Sequence, residues 1–187
     1  MLQQIHIPTT GFPEFTTANL HLRELISNDA EAVLRIFADK EVTRYYDLDT
    51  FRDLSQASEL IRRQRIRFER GEVMRWGITQ KENNIVIGTV GYVFNQDNAQ
   101  GGLGYDLASP YWRRGIMTEA LRLVMRYGFS SLRLNRIQAL VVPGNVPSIG
   151  LLQKLGFTEE GLLRQYAFFK GRYQDLICFS VLRSEFR

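Results

Sequence analysis

The sequence predicts an α/β (α+β) fold in which one central sheet, mixed but mostly antiparallel, carries helices on both faces. Three apolar segments at 74–80, 85–94 and 101–108 are joined by short polar connections, the pattern of an antiparallel meander. A strand–helix–strand unit follows, and such a unit requires a parallel crossover. The 187 residues are 44% hydrophobic and contain no repeat or linker, which favours a single domain.

The elements before the meander begin with a lead-in at residues 1–16 that we expect to be loosely ordered. Alternating leucines predict a first strand over 18–25. A helix is expected to start at Asn28, whose side chain would cap the free N–H groups, and to run to about Asp39. Apolar residues at helical spacing predict a second helix over 54–70.

The elements after the meander supply the crossover and the last strands. A helix is predicted over 118–132, a strand over 136–142 and a short helix over 147–155. A hairpin with a nearly continuous apolar last strand is predicted over 162–182. The residues of the crossover helix that we expect to face inward are Leu121, Val124, Met125 and Phe129.

The composition narrows the class of protein. A net charge of +4, from 24 basic and 20 acidic residues, mildly favours anionic ligands without indicating DNA as a partner. A single cysteine excludes an internal disulfide framework, and the N-terminal residues do not have the pattern of a signal peptide. No apolar run approaches the ~20 residues that span a membrane. We therefore expect a soluble, cytoplasmic protein with no membrane partner.

Several familiar sites are excluded by spacing. Leu107 stands where a dinucleotide-binding fingerprint needs its third glycine, and Leu162 replaces the lysine of a P-loop. The soft metal ligands His6, His21 and Cys178 lie far apart in the sequence. We therefore expect no metal and no covalent catalysis, and we interpret Cys178 as a buried core thiol.

Two segments remain as candidate sites. In "YWRRGIMTEAL" (111–121), Arg113 and Arg114 precede Gly115 at the start of a helix, where free N–H groups and partial positive charge attract anions. In "LNRIQALVVPGNVPSIGLLQKLGFTEEG", Asn145 and Ser148 begin a short helix at the carboxyl end of a strand. Ligands bind at such strand ends in sheets with parallel strands.

These segments, with "KGRYQDLICFSVL" near the end, resemble the GNAT superfamily of N-acetyltransferases. The resemblance covers about residues 17–187 and is to the branch of ribosomal-protein N-terminal (Rim-type) acetyltransferases. It implies a GNAT-like domain whose sheet is splayed between the strands 101–108 and 136–142. It also implies acetyl-CoA as cosubstrate, with the pantetheine arm in the gap between these strands.

The resemblance further implies roles for individual residues. Asn145 matches the family residue that bonds the pantetheine arm, and Ser148 is the candidate to protonate the departing thiolate. Tyr105 is the second candidate catalytic residue, with strand packing as the alternative. The family's pyrophosphate loop falls on Arg113, Arg114, Gly115, Ile116, Met117 and Thr118, where Met117 replaces the more usual Gly or Ala.

One departure from the branch concerns the catalytic base. Gly102 occupies the place where an acidic residue is often found, and Asp106 is expected to point to the other face because strand side chains alternate. An α-amine has a pKa near ~8, so roughly a tenth is already neutral at pH 7, and such a substrate can manage with water as proton acceptor. We therefore expect direct attack by a primary amine, most simply a protein N-terminal amine.

Alternatives remain for the function and for some residues. The chain could acetylate a polyamine, an aminoglycoside or an amino acid derivative, or bind acyl-CoA without catalysis, as a monomer or a homodimer. Asn145 and Ser148 could simply cap a helix. The arginine-rich stretch 62–70 could bind RNA, although a solvated helix face is the simpler interpretation. The residues that could line the acceptor cleft, or merely pack, are Tyr45, Tyr46 and Asp47.

Overall fold

The computed structural model describes residues 5–8 and 11–186. Its strands are β1 (Phe15–Thr16), β2 (Leu20–Glu24), β3 (Val73–Gln80), β4 (Val86–Asn95), β5 (Gln100–Leu107), β6 (Arg136–Val141), β7 (Thr158–Phe169) and β8 (Arg172–Leu182). Its helices are α1 (Ala30–Phe37), α2 (Lys40–Thr43), α3 (Leu54–Glu69), α4 (Ile116–Ser130) and α5 (Val146–Lys154).

The strands form a single eight-stranded sheet in the order β1-β2-β3-β4-β5-β6-β8-β7. Neighbouring strands are antiparallel except β5 and β6, which are parallel and are connected through α4. The mixed, mostly antiparallel sheet with one parallel crossover confirms the predicted fold class.

The two faces of the sheet carry separate apolar clusters. On one face α4 packs against β3, β4 and β6, and its four predicted inward residues are all buried. On the other face α1 and α3 pack together over Leu25 and Val86, with Val33, Phe37 and Leu60 buried between them. Helices therefore cover both faces, as the periodicity of their apolar residues predicts.

The start of the first helix differs from the prediction. A 3₁₀ turn over Ser27–Asp29 precedes α1, and Asn28 does not cap it. Instead the buried Asp29 carboxylate accepts the Ile26 N–H at 2.8 Å and two bonds from the Arg23 guanidinium, both at 2.8 Å. An ion pair between residues six positions apart thus fixes this end of the helix, and helix-capping rules do not cover that spacing.

The described part of the lead-in is packed on the sheet. Phe12 and Phe15 lie against Trp76, with ring centroids 5.5 and 5.6 Å away, and the Trp76 indole N–H donates to the Pro13 carbonyl at 2.7 Å. The expectation of loose order is therefore wrong for these residues, because they bury aromatic area. Residues 1–4 and 9–10 of the lead-in lie outside the described residues.

Along residues 5–8 and 11–186, none of the helices has the length and apolar character needed to span a membrane.

Candidate active site

A gap in the sheet opens between the two parallel strands. β5 and β6 pair only where Gln100, Gly101 and Gly102 lie beside Arg136, Ile137 and Gln138. Beyond this point residues 103–107 and 139–141 continue as strands without pairing with each other. Both strands have their carboxyl ends here, and α4 and α5 begin a few residues later. The splay that the resemblance implies is therefore present.

The segment 113–118 forms a cradle of free backbone donors at the start of α4. Gly115 has φ +80° and Arg113 has φ +60°, and α4 begins immediately after this glycine. Among the described residues, none of the N–H groups of 113–118 donates to a protein acceptor. Converging free N–H groups at the N-terminus of a fifteen-residue helix bind anions.

The side chains of this cradle have different surroundings. Met117 is 8% exposed and packs into the core, so only its backbone faces the cradle, which explains how methionine can stand there. Arg114 lies over the Tyr111 ring at 5.7 Å, and the Trp112 indole N–H donates to the Leu107 carbonyl at 2.6 Å. The loop is thus anchored to the end of β5, while Arg113, Arg114 and Gly115 are exposed.

A surface cavity of about 320 Å³ adjoins the cradle at Gly115 and Thr118. Its basic side chains are Arg122, Arg126 and Lys154, none of which forms an ion pair among the described residues. Sequence reasoning missed these residues, although two arginines four positions apart on the polar side of a helix were a usable signal.

Tyr105 and Ser148 meet beside the gap. Their hydroxyl oxygens are 2.7 Å apart, which joins β5 to the first turn of α5. Burial raises the pKa of the Tyr105 hydroxyl to about 12, so that this group stays protonated at neutral pH. Asn145 caps α5 by accepting the Ser148 N–H at 3.4 Å. The predicted capping is therefore present for Asn145, whereas the Ser148 hydroxyl bonds Tyr105 instead.

The opposite face of β5 carries Gly102, Gly104 and Asp106. The Asp106 carboxylate is 6% exposed and accepts bonds from the Thr89 N–H at 3.0 Å, the Thr89 hydroxyl at 2.6 Å and Arg75 Nη2 at 2.7 Å. Asp106 thus points away from Tyr105 and Ser148, and it shares its face with Gly102. The prediction that these two differ in face is wrong because they are four positions apart in a regular strand.

The three predicted acceptor-cleft residues are placed differently. The Tyr45 hydroxyl donates to the Gly144 carbonyl at 3.1 Å and so joins the loop after α2 to the loop before α5. Tyr46 packs on Phe37 and accepts a bond from Arg75 Nη2 at 2.6 Å, and burial raises the pKa of its hydroxyl. Asp47 is exposed and has no hydrogen bond or ion pair with any described residue.

Other candidate groups lie away from the gap. No cluster of three or more His, Cys, Asp or Glu side chains suited to a metal occurs within 5–8 and 11–186. Cys178 is buried among the core residues, as predicted, and its sulfur lies 3.8 Å from an Arg136 nitrogen and 4.0 Å from Glu160. The α3 arginines that pair with nearby glutamates are Arg62, Arg65 and Arg67, as on a solvated helix face.

Comparison with known proteins identifies the family. A family model described as "Acetyltransferase (GNAT) domain" matches residues 19–158. The chain belongs to the GNAT acetyltransferase family. This GNAT acetyltransferase is 42% identical over 171 residues to the uncharacterized N-acetyltransferase p20 of Bacillus licheniformis, covering 91% of the chain and 96% of that protein. It is 30% identical over 113 residues to the [ribosomal protein uS5]-alanine N-acetyltransferase of Escherichia coli, covering 57% and 56%.

Solved structures share the fold of this GNAT acetyltransferase. The ribosomal-protein-S5-alanine acetyltransferase of Vibrio fischeri superposes with a TM-score of 0.76 at 23% identity, covering 94% of the chain and 99% of that structure. The microcin C7 self-immunity acetyltransferase MccE, in complex with acetyl-CoA and AMP, gives 0.80 at 20% identity, covering 89% and 93%. The chain is an N-acetyltransferase of a family that takes its acetyl group from acetyl-CoA, which confirms the predicted enzyme class and cosubstrate.

Proposed function

We propose that this N-acetyltransferase acetylates the N-terminal amine of a protein, by direct attack of the amine on acetyl-CoA. The observation that carries the proposal is the gap between β5 and β6, with the Tyr105–Ser148 pair on one face of β5 and glycines on the other. The free N–H groups of 113–118 lie at the start of the helix that follows β5. The uS5-alanine N-acetyltransferase relative supports an N-terminal acceptor.

The residues suit acetyl-CoA in this position. The N–H groups of 113–118 bind its diphosphate, and the open space around Gly115, where a Cβ would meet nothing within 4 Å, allows close approach. The basic residues of the adjoining cavity neutralise further negative charge. The Asn145 side-chain amide, whose nitrogen has no partner among the described residues, and the unpaired edges of β5 and β6 bond the pantetheine arm.

The acidic and basic groups near β5 favour an α-amine as acceptor. The Asp106 carboxylate is already bonded by Arg75 and Thr89, and Gly102 offers no side chain, so β5 presents no free carboxylate base. An α-amine, with a pKa near ~8, is partly neutral at pH 7, whereas a lysine amine near ~10.4 is neutral in less than about one part in a thousand. The site therefore suits an acceptor such as an α-amine, which reacts without a strong base.

The transfer then needs two small proton movements. The amine nitrogen forms a bond to the thioester carbon as the carbon–sulfur bond breaks, and the nitrogen releases its proton to water. Ser148 donates a proton to the departing sulfur and is reprotonated from water, while Tyr105 orients the Ser148 hydroxyl through their 2.7 Å bond. No acyl-enzyme forms.

The test is acetyl transfer to a panel of amines. Thiol release is measured with acetyl-CoA and with N-terminal peptides, polyamines and aminoglycosides, and mass spectrometry locates the new acetyl group. We expect turnover with free N-terminal peptides and none with a matched peptide that is blocked at its N-terminus but contains lysine. Turnover confined to polyamines or aminoglycosides, or acetylation at lysine, contradicts the proposed acceptor.

A further inference from the structure

Arg75 is a partly buried cation that the proposed chemistry does not use. Its side chain is 13% exposed, and two of its three nitrogens have partners: Nε donates to the Thr89 hydroxyl at 2.7 Å, and Nη2 donates to Tyr46 and Asp106. Nη1 has no hydrogen-bond partner among the described residues. Nη1 is not among the buried polar atoms without a partner, so it is a charged donor that solvent or a ligand can reach.

The position of Nη1 is set by glycines. Arg75 in β3 lies opposite Gly91 in β4, and Gly91 lies opposite Gly104 in β5. A Cβ added at Gly104 would be 3.1 Å from Nη1, so the guanidinium extends across β4 and ends over Gly104. This residue belongs to 103–107, the part of β5 that borders the gap. Nη1 is therefore a donor beside the gap, on the opposite face from Tyr105 and Ser148.

The charge around Nη1 limits what can bind there. Asp106 balances the charge of the guanidinium, and Tyr46 is held neutral by the raised pKa of its hydroxyl. The open donor therefore suits a carbonyl or carboxylate oxygen, whereas a second ammonium group would be repelled. A peptide N-terminus carries a carbonyl one carbon from its amine, which a simple alkylamine lacks.

We propose that Arg75 is a specificity-determining residue whose Nη1 binds the first carbonyl oxygen of the acceptor. This inference rests on the proposed function and names the acceptor class: primary amines with a carbonyl on the adjacent carbon. Glycine at position 104 leaves the space that Arg75 Nη1 occupies, because a Cβ there would lie 3.1 Å from this atom. Asp106, Thr89 and Tyr46 hold the guanidinium so that Nη1 alone is left for the acceptor.

The test compares two acceptors that differ only at this carbonyl. One is an N-terminal alanine peptide, and the other is the primary amine in which a methylene replaces the first carbonyl; rates are expressed per deprotonated amine. We expect the wild-type enzyme to have a higher kcat/KM for the peptide. Arg75→Lys keeps the charge and should reduce that preference by about tenfold, which is the effect of one hydrogen bond to a charged group. Equal losses for both acceptors overturn the inference.

A second pair of variants avoids disturbing the partly buried charge. Gly104→Ala places a methyl group against Nη1, whereas Gly102→Ala, on the same strand and face, meets only Val93 atoms at 3.4 and 4.0 Å. We expect the preference for the peptide to fall in Gly104→Ala and to be retained in Gly102→Ala. An equal preference in both variants overturns the inference.

Wild-type results separate this inference from the proposed function. If the wild-type enzyme acetylates neither acceptor while it acetylates polyamines, the proposed function fails. If it acetylates both acceptors equally well, the proposed function stands and the role of Arg75 is wrong.

Discussion

Gly115 shows how one backbone angle can prepare a binding site. Its φ of +80° lies in the left-handed region, which a residue with a branched side chain adopts at a cost of about 1–2 kcal/mol. This angle turns the chain into α4, and the N–H groups of 113–118 have no acceptor among the described residues. A Cβ here would touch no protein atom within 4 Å, so within the protein only the backbone angle favours glycine, and the space beside it is open to the proposed ligand.

We therefore predict that Gly115→Val lowers affinity for acetyl-CoA by about tenfold or more while the fold is retained, since at least one charge-assisted bond is lost. Calorimetric titration measures the affinity. Gly156→Val is the matched control, because Gly156 has φ +84° and an equally open Cβ position but ends α5 outside the cradle. Unchanged affinity in Gly115→Val, or an equal loss in both variants, would show that 113–118 does not bind the diphosphate.

Single residues differ in how well the sequence predicts them. Gly115, Asn145 and Ser148 could be placed because they belong to contiguous motifs. Arg75 could not, because its relation to the gap depends on the register of three strands. The face of Asp106 required only a count of alternate positions, and the available rule was misapplied.

At the scale of elements, a polar cluster joins the last three strands. Glu160 in β7 accepts two bonds from Arg136 in β6, at 2.7 and 2.5 Å, and one from Ser180 in β8 at 2.6 Å. These bonds, those from Arg136 above all, lower the pKa of the Glu160 carboxyl to about 2. The cluster also covers the Cys178 thiol.

The lowered pKa predicts a defined dependence of stability on pH. Because it lies below the ordinary value of 4.5, the stabilisation is fully present above about pH 4.5 and is lost as the pH falls through 2. Glu160→Gln should therefore lose less stability than the wild type between pH 5 and 2, as measured by urea unfolding. Glu159→Gln should follow the wild type, because Glu159 is an exposed neighbour that forms no ion pair with the residues that the structure describes. A wild-type slope in Glu160→Gln would exclude the role of Glu160.

The sequence predicts elements better where their ends are decided locally. The three meander strands are within one residue of prediction because polar turns limit them. The helix α4 begins two residues before its predicted start at 118, since the angle at Gly115 and not a capping side chain ends the loop. The start of α1 was missed because the Arg23–Asp29 pair joins β2 to the 3₁₀ turn six residues on, a spacing that helix-capping rules do not cover.

At the scale of the whole molecule, acetyl-CoA should stabilise the fold against heat. A ligand that binds only the folded state contributes about 2.7 kcal/mol at 100 times its Kd. For a domain of this size that corresponds to a rise in Tm of roughly 5–10 °C. Thermal unfolding with and without acetyl-CoA measures this rise in Tm. Gly156→Val should show the full rise and Gly115→Val a smaller one. No shift in the wild type at millimolar acetyl-CoA would contradict binding at the gap.

Because the β5–β6 ladder is short, the sheet is held by fewer hydrogen bonds there than between β4 and β5. Three residue pairs connect β1–β5 with β6–β8, whereas Gly88–Asn95 of β4 pairs along the whole of β5. The two parts of the sheet, β1–β5 and β6–β8, can therefore change their relative twist with the loss of few hydrogen bonds. The helix α4 connects them. In the position proposed for acetyl-CoA, its pantetheine arm would bond the unpaired edges of β5 and β6 and fix that twist, so that the bound acetyl donor would act like a ninth strand.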